Sequence, residues 1–142
     1  MTQINPYLSF KDTCEDAFNL YRSVFGGEFA MIARMTDIDM GTPVPEGSEN
    51  LIMHISYPIG GNILMGSDCP EGFGPKLETG NNFSVSISAD SKEEADRIYK
   101  GLSEGGTSTM PMGDAPWGSY FGMLQDKFNI NWMVSFDQKP QA

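Results

Sequence analysis

Two short stretches of this chain, "NILMGSD" at 62–68 and "NWMVSFD" at 131–137, are near copies of one another 69 positions apart. A second pair runs ahead of them in the same order. Glu15-Asp16-Ala17 followed by Leu20-Tyr21-Arg22 returns 78 positions later as Glu93-Glu94-Ala95 followed by Ile98-Tyr99-Lys100. A chain of 142 residues has room for one ordinary domain, or for two small halves that share a core, and the duplication favours the second arrangement.

The earlier pair reads as helix. Ala17, Leu20, Tyr21 and Val24 fall at the i, i+3, i+4, i+7 spacing of one helical face, and Ala95, Ile98, Tyr99 and Leu102 repeat it. Asp12 or Thr13 can cap the first helix and Asp90 or Ser91 the second, while Gly26-Gly27 and Gly105-Gly106 supply the stops. The later pair reads as the end of a hairpin. "LIMHISY-PIGG-NILMGS" and "SYFGMLQ-DKFN-INWMVS" are both strand, short turn, strand, with Gly or Asn where a turn needs positive φ. Strands near 4–10, 28–35, 51–57 and 62–67, and again near 83–89, 107–112, 119–125 and 130–136, give each half the order β-α-β-β-β. The offset shrinks between the two pairs because the first half carries the longer insertion, "TDIDMGTPVPEGSEN", which reads as a loop. The expected organisation is a single domain, with module one at 1–68, a linker at 69–82, module two at 83–137 and a tail at 138–142. The expected fold class is α+β: two tandem βαβββ modules whose mixed sheets curl around a shared cavity, with the helices outside.

Charge narrows the partners. Nine basic against nineteen acidic residues leave a formal net charge of −10, which argues against nucleic acid and anionic membrane, since both select clustered Lys and Arg. No apolar run approaches the roughly 20 residues of a membrane span, and the start "MTQINPYLSF" lacks a basic segment followed by an apolar core. Cys14 and Cys69 are too few for a disulfide framework and have no CxxC spacing, so reduced thiols in a cytoplasm are expected. Small molecules, and a second copy of the chain, remain as partners.

The set "PYLSF…CEDAFNLYRSVFGGE", "LIMHISYPIGGNILMGSD" and "WGSYFGMLQDKFNINWMVSF" resembles the PhnB-like branch of the glyoxalase/bleomycin-resistance/dioxygenase superfamily, the vicinal oxygen chelate proteins. The resemblance spans essentially the whole chain, agrees with paired βαβββ modules and implies a homodimer. It leaves activity open, because that fold hosts metal-dependent isomerases, lyases, dioxygenases and thiol transferases as well as metal-free drug-binding proteins. Metal-using members hold the ion with four inward His, Glu or Gln side chains. The corresponding positions here are Asn5, Leu64, Ser84 and Met133, a poor shell for a divalent first-row ion, so no metal and no cofactor are expected.

Strand alternation predicts which side chains line the cavity. In "INWMVSF" the apolar set Ile130, Trp132, Val134 and Phe136 belongs under a helix, leaving Asn131, Met133 and Ser135 on the other side. Placing Gln125 opposite Ile130 adds Tyr120, Gly122 and Leu124 to the cavity. Placing Tyr57 opposite Asn62 adds Met53, Ile55, Tyr57, Asn62, Leu64 and Gly66. Val85, Ile87 and Ala89 go to the helix side, so Ser84, Ser86 and Ser88 face inward, as do Tyr7 and Ser9. Trp117, in the Pro- and Gly-flanked loop "GDAPWGSYFG", is placed to wall the cavity mouth, or else to cover a core edge or make a subunit contact. The expected ligand contacts are therefore Tyr7, Met53, Ile55, Tyr57, Leu64, Ser84, Ser86, Trp117, Tyr120, Asn131 and Met133.

His54, the only histidine, is the one catalytic candidate, but this register puts it on the helix-covered face. Cys69 has no nearby His or Lys to activate it and reads as inert. The expected function is small-molecule binding without the superfamily's metal site. The alternatives are a lyase or isomerase using a nonstandard metal site or a His/Tyr acid–base, and a dimeric protein-interaction module. A methyltransferase role finds no support, because the glycine pairs at 26–27, 60–61 and 105–106 are turn residues rather than a cofactor loop between strand and helix.

Overall fold

The structure is a computed structural model that describes residues 2–37, 41, 43–70 and 74–138, leaving parts of the long insertion and of the linker outside the described residues. It divides into two compact units, Met1–Glu78 and Thr79–Ala142. The first contains β1 (Tyr7–Phe10), α1 (Cys14–Phe25), β2 (Met31–Arg34) with a 3-10 turn at Met35–Asp37, β3 (Ile52–Ile59) and β4 (Asn62–Asp68). The second contains β5 (Val85–Ser88), α2 (Lys92–Ser103), β6 (Thr107–Asp114), β7 (Ser119–Gln125) and β8 (Asn131–Asp137).

The strands form two separate four-stranded sheets, ordered β1-β4-β3-β2 and β5-β8-β7-β6. In each, the first strand runs parallel to the last and the remaining pairs are antiparallel. This corrects the expectation of sheets curled around a shared cavity. Both sheets are open, each with two edges, and no strand of one pairs with a strand of the other among the described residues. The edges have local reasons to stop pairing. β2 has only four residues and shifts register at Ala33/Arg34, and β6 shifts twice against β7. Such bulges bend a strand and interrupt its ladder.

Both helices bury the stripe that their spacing predicts. Cys14, Ala17, Phe18, Tyr21 and Val24 of α1 are buried, as are Ala95, Ile98 and Leu102 of α2. The first helix is capped from a distance. Thr13 makes no side-chain cap bond, and the buried carboxylate of Asp68 at the end of β4 accepts from the backbone N–H of Cys14 at 2.9 Å and of Ile52 at 2.8 Å. One side chain thus ties α1, β3 and β4 together. The second helix is capped locally, with Ser91 accepting from Glu94 N–H at 3.1 Å while Glu94 accepts from Asp90 N–H at 3.1 Å. Gly26 ends α1 at φ +78°, where a side chain would be strained.

Beneath α1 lies an aromatic core. Phe18 meets Phe10, Tyr21 and Phe29 edge-on, and Phe29 meets Tyr57 at 5.3 Å between centroids. Such pairs add about 0.5–1.5 kcal/mol each beyond area burial. The core of the second unit is Trp132, Val134 and Leu124 under α2, with Tyr99 of the helix 2.9 Å from the carbonyl of Met123 and 3.0 Å from that of Met110. Asp126, buried at the head of the β7–β8 turn, accepts from the N–H groups of Phe128 and Ile130 and from Trp132 Nε1 at 2.9 Å.

The registers revise the predicted faces. In the first hairpin Tyr57 pairs with Leu64 and Ile55 with Gly66, and a Cβ built on Gly66 would come within 2.7 Å of the Phe18 ring. Ile55, Tyr57, Leu64 and Gly66 therefore look into the α1 core, opposite to the expectation. In the second hairpin Gln125 pairs with Asn131 rather than Ile130, so Gly122 opposes Val134 and Leu124 opposes Trp132. Gly122 and Leu124 accordingly lie under α2, while Trp132 and Met133 occupy the faces expected of them.

Trp132→Ala should lower stability by about 3–5 kcal/mol as a core aromatic is lost, whereas Met133→Gln should cost less than about 1 kcal/mol. Gly66→Ala should cost about 1–3 kcal/mol by overpacking against Phe18, while Gly61→Ala, with open space around its Cβ position, should be near neutral. Urea midpoints of the four variants check both contrasts.

Candidate functional site

Each sheet has one face sealed by its own helix and one face that its helix leaves open. On sheet one the open face carries Tyr7 and Ser9 of β1, Met65 and Ser67 of β4, and His54 and Ser56 of β3, with Tyr7 paired to Met65, Met65 to Ser56, and Ser56 to Met31. His54 thus reverses its predicted side. Its Nδ1 lies 3.3 Å from Tyr7 Oη and its Nε2 lies 3.0 Å from Ser56 Oγ, and the Tyr7 and His54 rings are 5.7 Å apart. Tyr7 is 48% exposed and His54 and Ser56 are half-buried, so the group is reachable from outside.

On sheet two the open face carries Ser86 and Ser88 of β5, Asn131, Met133 and Ser135 of β8, and Phe121, Met123 and Gln125 of β7. A continuous row crosses it, Ser86 to Met133 to Met123 to Met110. Trp117, 69% exposed in the turn before β7, packs edge-on against Phe121 with centroids 5.7 Å apart. The Asn131 amide donates to the carbonyl of Gly80 at 2.9 Å.

The remaining predicted contacts lie elsewhere. Ile55, Tyr57 and Leu64 are buried against α1, and the Tyr57 hydroxyl donates to the carbonyl of Gly26 at the end of that helix. Burial raises the Tyr57 phenol above its ordinary value. Met53 is the extra residue where β3 shifts register against β2, and Ser84 immediately precedes β5. Tyr120 pairs with Phe136 on the helix side, and its hydroxyl donates to Asp96 of α2 at 2.5 Å. That bond, with a smaller contribution from burial, pushes the phenol up to about 12. Sequence reasoning missed Ser56 and Met65, displaced by the inverted faces of the first hairpin, and Phe121 and Met123, displaced by the one-residue shift of β7 against β8.

A family model described as 3-demethylubiquinone-9 3-methyltransferase matches residues 2–135. The chain belongs to that family, in the PhnB-like branch of the glyoxalase/bleomycin-resistance superfamily. Protein YjdN of Escherichia coli K12 is 27% identical to this PhnB-like chain over 143 residues, 93% of each. Protein PA1353 of Pseudomonas aeruginosa is similar in structure at a TM-score of 0.85 and 35% identity, covering 98% of this chain and 100% of that one. A putative 3-demethylubiquinone-9 3-methyltransferase, PhnB protein, from Bacillus cereus follows at 0.76 and 26%, covering 95% and 99%.

The superfamily's metal does not fit the PhnB-like residues at its positions. Leu64 is in the α1 core, and Met65, which takes its place on the open face, offers only a thioether. Asn5 accepts from the backbone N–H of Ile63, and Ser84 and Met133 bring a hydroxyl and a second thioether. Hard or borderline divalent ions are held poorly by such donors. Among the described residues no three His, Cys, Asp or Glu side chains gather as a metal-holding group. Both cysteines are free, and burial, with Asp68 nearby, pushes the Cys14 thiol far up, so it is an inert packing group.

The Tyr120–Asp96 bond yields a test of the sheet-two register. A phenol raised in the folded state adds stability below its ordinary value of 10.0 and loses it as pH rises through about 12. Ultraviolet titration should show Tyr120 ionising near that upper value, and Asp96→Asn should bring it back toward the ordinary one. An unchanged tyrosine titration in the variant would place Tyr120 on the other face.

Proposed function

We propose that this PhnB-like chain is a small-molecule binding protein whose ligand lies against an open sheet face and is uncharged. The observation that carries the reading is the chemistry of those faces. In a chain with nineteen acidic and nine basic residues, the paired positions named above on both open faces hold hydroxyls, amides, thioethers and aromatic rings, with His54 the one basic side chain. A charged ligand would be desolvated there with no fixed counter-ion, at a cost of several kcal/mol. A neutral molecule with an aromatic or apolar body gains from methionines, which adapt to irregular shapes and make favourable sulfur–aromatic contacts.

On the open face of the second unit, Ser86, Asn131 and Met133 remain in the proposed contact set, joined by Met123 and Phe121, with Trp117 packed beside Phe121. The reading favours binding over methyl transfer. The connections from β1 to α1 and from β5 to α2, Lys11-Asp12-Thr13 and Ala89-Asp90-Ser91, contain no glycine with which to cradle a nucleotide-like cofactor. A cytoplasmic location suits the two free cysteines, and a homodimer suits the four unpaired sheet edges and the exposed Met31 and Ile32 on β2. No described helix is long and apolar enough to cross a membrane.

Nile red, a neutral solvatochromic dye, tests the ligand chemistry. Its emission should rise and shift to the blue on binding, and Met133→Asp should weaken the affinity at least about tenfold by placing a charge on the face. Equal binding by parent and variant, at equal urea midpoints, would sink the reading. Equilibrium sedimentation should give twice the chain mass, and a concentration-independent monomer would remove the dimer without touching the ligand.

A further inference from the structure

Binding a neutral ligand explains thioethers and hydroxyls but gives no work to the group formed by Tyr7, His54 and Ser56. A neutral imidazole has one N–H and one lone pair, on opposite sides of the ring. Both sides are engaged here, Nδ1 with Tyr7 Oη at 3.3 Å and Nε2 with Ser56 Oγ at 3.0 Å. When Nδ1 carries the proton, the Tyr7 oxygen accepts it and Nε2 is left to accept from the Ser56 hydroxyl. That is the order of an activated nucleophile: hydroxyl, base, and a third group that engages the far side of the base. The frame is rigid. His54 and Ser56 lie two residues apart on the inner strand β3, Tyr7 comes from β1 across Met65, and the Tyr7 ring, tilted 32° to the imidazole with centroids 5.7 Å apart, flanks it. The face is partly open to solvent, and among the described residues no carboxylate hydrogen bonds or ion-pairs with the imidazole.

We propose that Ser56 is an acyl-accepting nucleophile, His54 its general base and Tyr7 a positioning residue, acting on neutral carboxylic esters. Ser56 Oγ attacks the ester carbonyl carbon as its proton passes to His54 Nε2. The carbon–oxygen bond to the alcohol then breaks, and the imidazolium returns the proton to the departing alkoxide, leaving an acyl group on Ser56. Water repeats the path, giving its proton to Nε2 while its oxygen bonds to the acyl carbon, and the proton returns to Ser56 Oγ as the carboxylic acid leaves. Ester and water become acid and alcohol, with no change of oxidation state.

p-Nitrophenyl acetate is the probe. The intact chain should release a burst of p-nitrophenolate with about one acetyl group per chain, and the acetyl should map to Ser56. Ser56→Ala should lose the adduct, and His54→Gln should slow its formation by roughly 100-fold or more, the usual share of a general base. Tyr7→Phe should cause a smaller loss and also change the imidazole 15N shifts, read without ambiguity because His54 is the only histidine. All three residues are half-buried or exposed, so urea midpoints should match the parent. Acetylation at a lysine or at Tyr7, or an adduct that persists in Ser56→Ala, would overturn the assignment. Nile red binding reports separately on the ligand reading, so the failure of one is not mistaken for the failure of the other.

Discussion

A single helix can cover only one face of a four-stranded sheet, and the two-residue period of a strand then decides everything that the other face presents. In both units the helix seals the face that carries the larger apolar side chains. Tyr57, Leu64 and Ile55 go under α1, and Trp132, Val134 and Leu124 under α2. The open faces are what remains after that choice, and their serines, methionines and lone histidine follow from it residue by residue. Gly66 and Gly122 show how close the packing is, since a Cβ on Gly66 would strike Phe18 of α1, and one on Gly122 would strike Met112 of β6 and crowd Tyr99 of α2.

Two buried carboxylates hold these layers in register. Asp68 receives backbone N–H groups from the first residue of α1 and the first of β3, so the helix cannot slide along the sheet without exposing a charge. Its burial is only partly offset by those donors, and desolvation raises its carboxyl above the ordinary range. Asp126 works within the second sheet, where it shapes the β7–β8 turn and holds the Trp132 indole. A buried acceptor that loses its donors costs about 1–3 kcal/mol or more, which makes each of these turns a single acceptable geometry.

Most of the fold was legible in the sequence because duplication and periodicity are local signals. Both helices, all eight strands and the order of each half could be read from spacing and turn residues, and Trp132 was correctly placed in a core. The faces of the first hairpin were not legible, and the reason is one residue. Matching Asn62 to Asn131 aligned the copies at an offset of 69, but the sheet pairings align Met65 with Met133, both opposite the first strand of their sheets, at an offset of 68. That shift brings Leu64 onto Trp132, Gly66 onto Val134 and Ser67 onto Ser135. A period of two turns a one-residue slip into a complete exchange of faces. Sequence alone could not choose between the registers, because the turn Gly60-Gly61 tolerates several hairpin closures and because Met and Ser suit either face.

The corrected offset also shows where the two copies have diverged. Met65 and Met133 occupy matching places, as do Met31 and Met110 on the edge strands, so the thioether positions are shared by both open faces. Between them Ser56 stands where the other copy has Met123, and Tyr7 where it has Ser86. Those exchanges turn a row with one hydroxyl beside three thioethers in the second unit into one with two hydroxyls flanking the inner methionine in the first. His54 is the neighbour that makes use of them, one ring nitrogen meeting the Tyr7 hydroxyl and the other that of Ser56, where the second unit has the thioether of Met123. Divergence between the duplicated halves has therefore changed the chemistry of one open face, while the helix-packed faces, though filled by different side chains, stay apolar in both units.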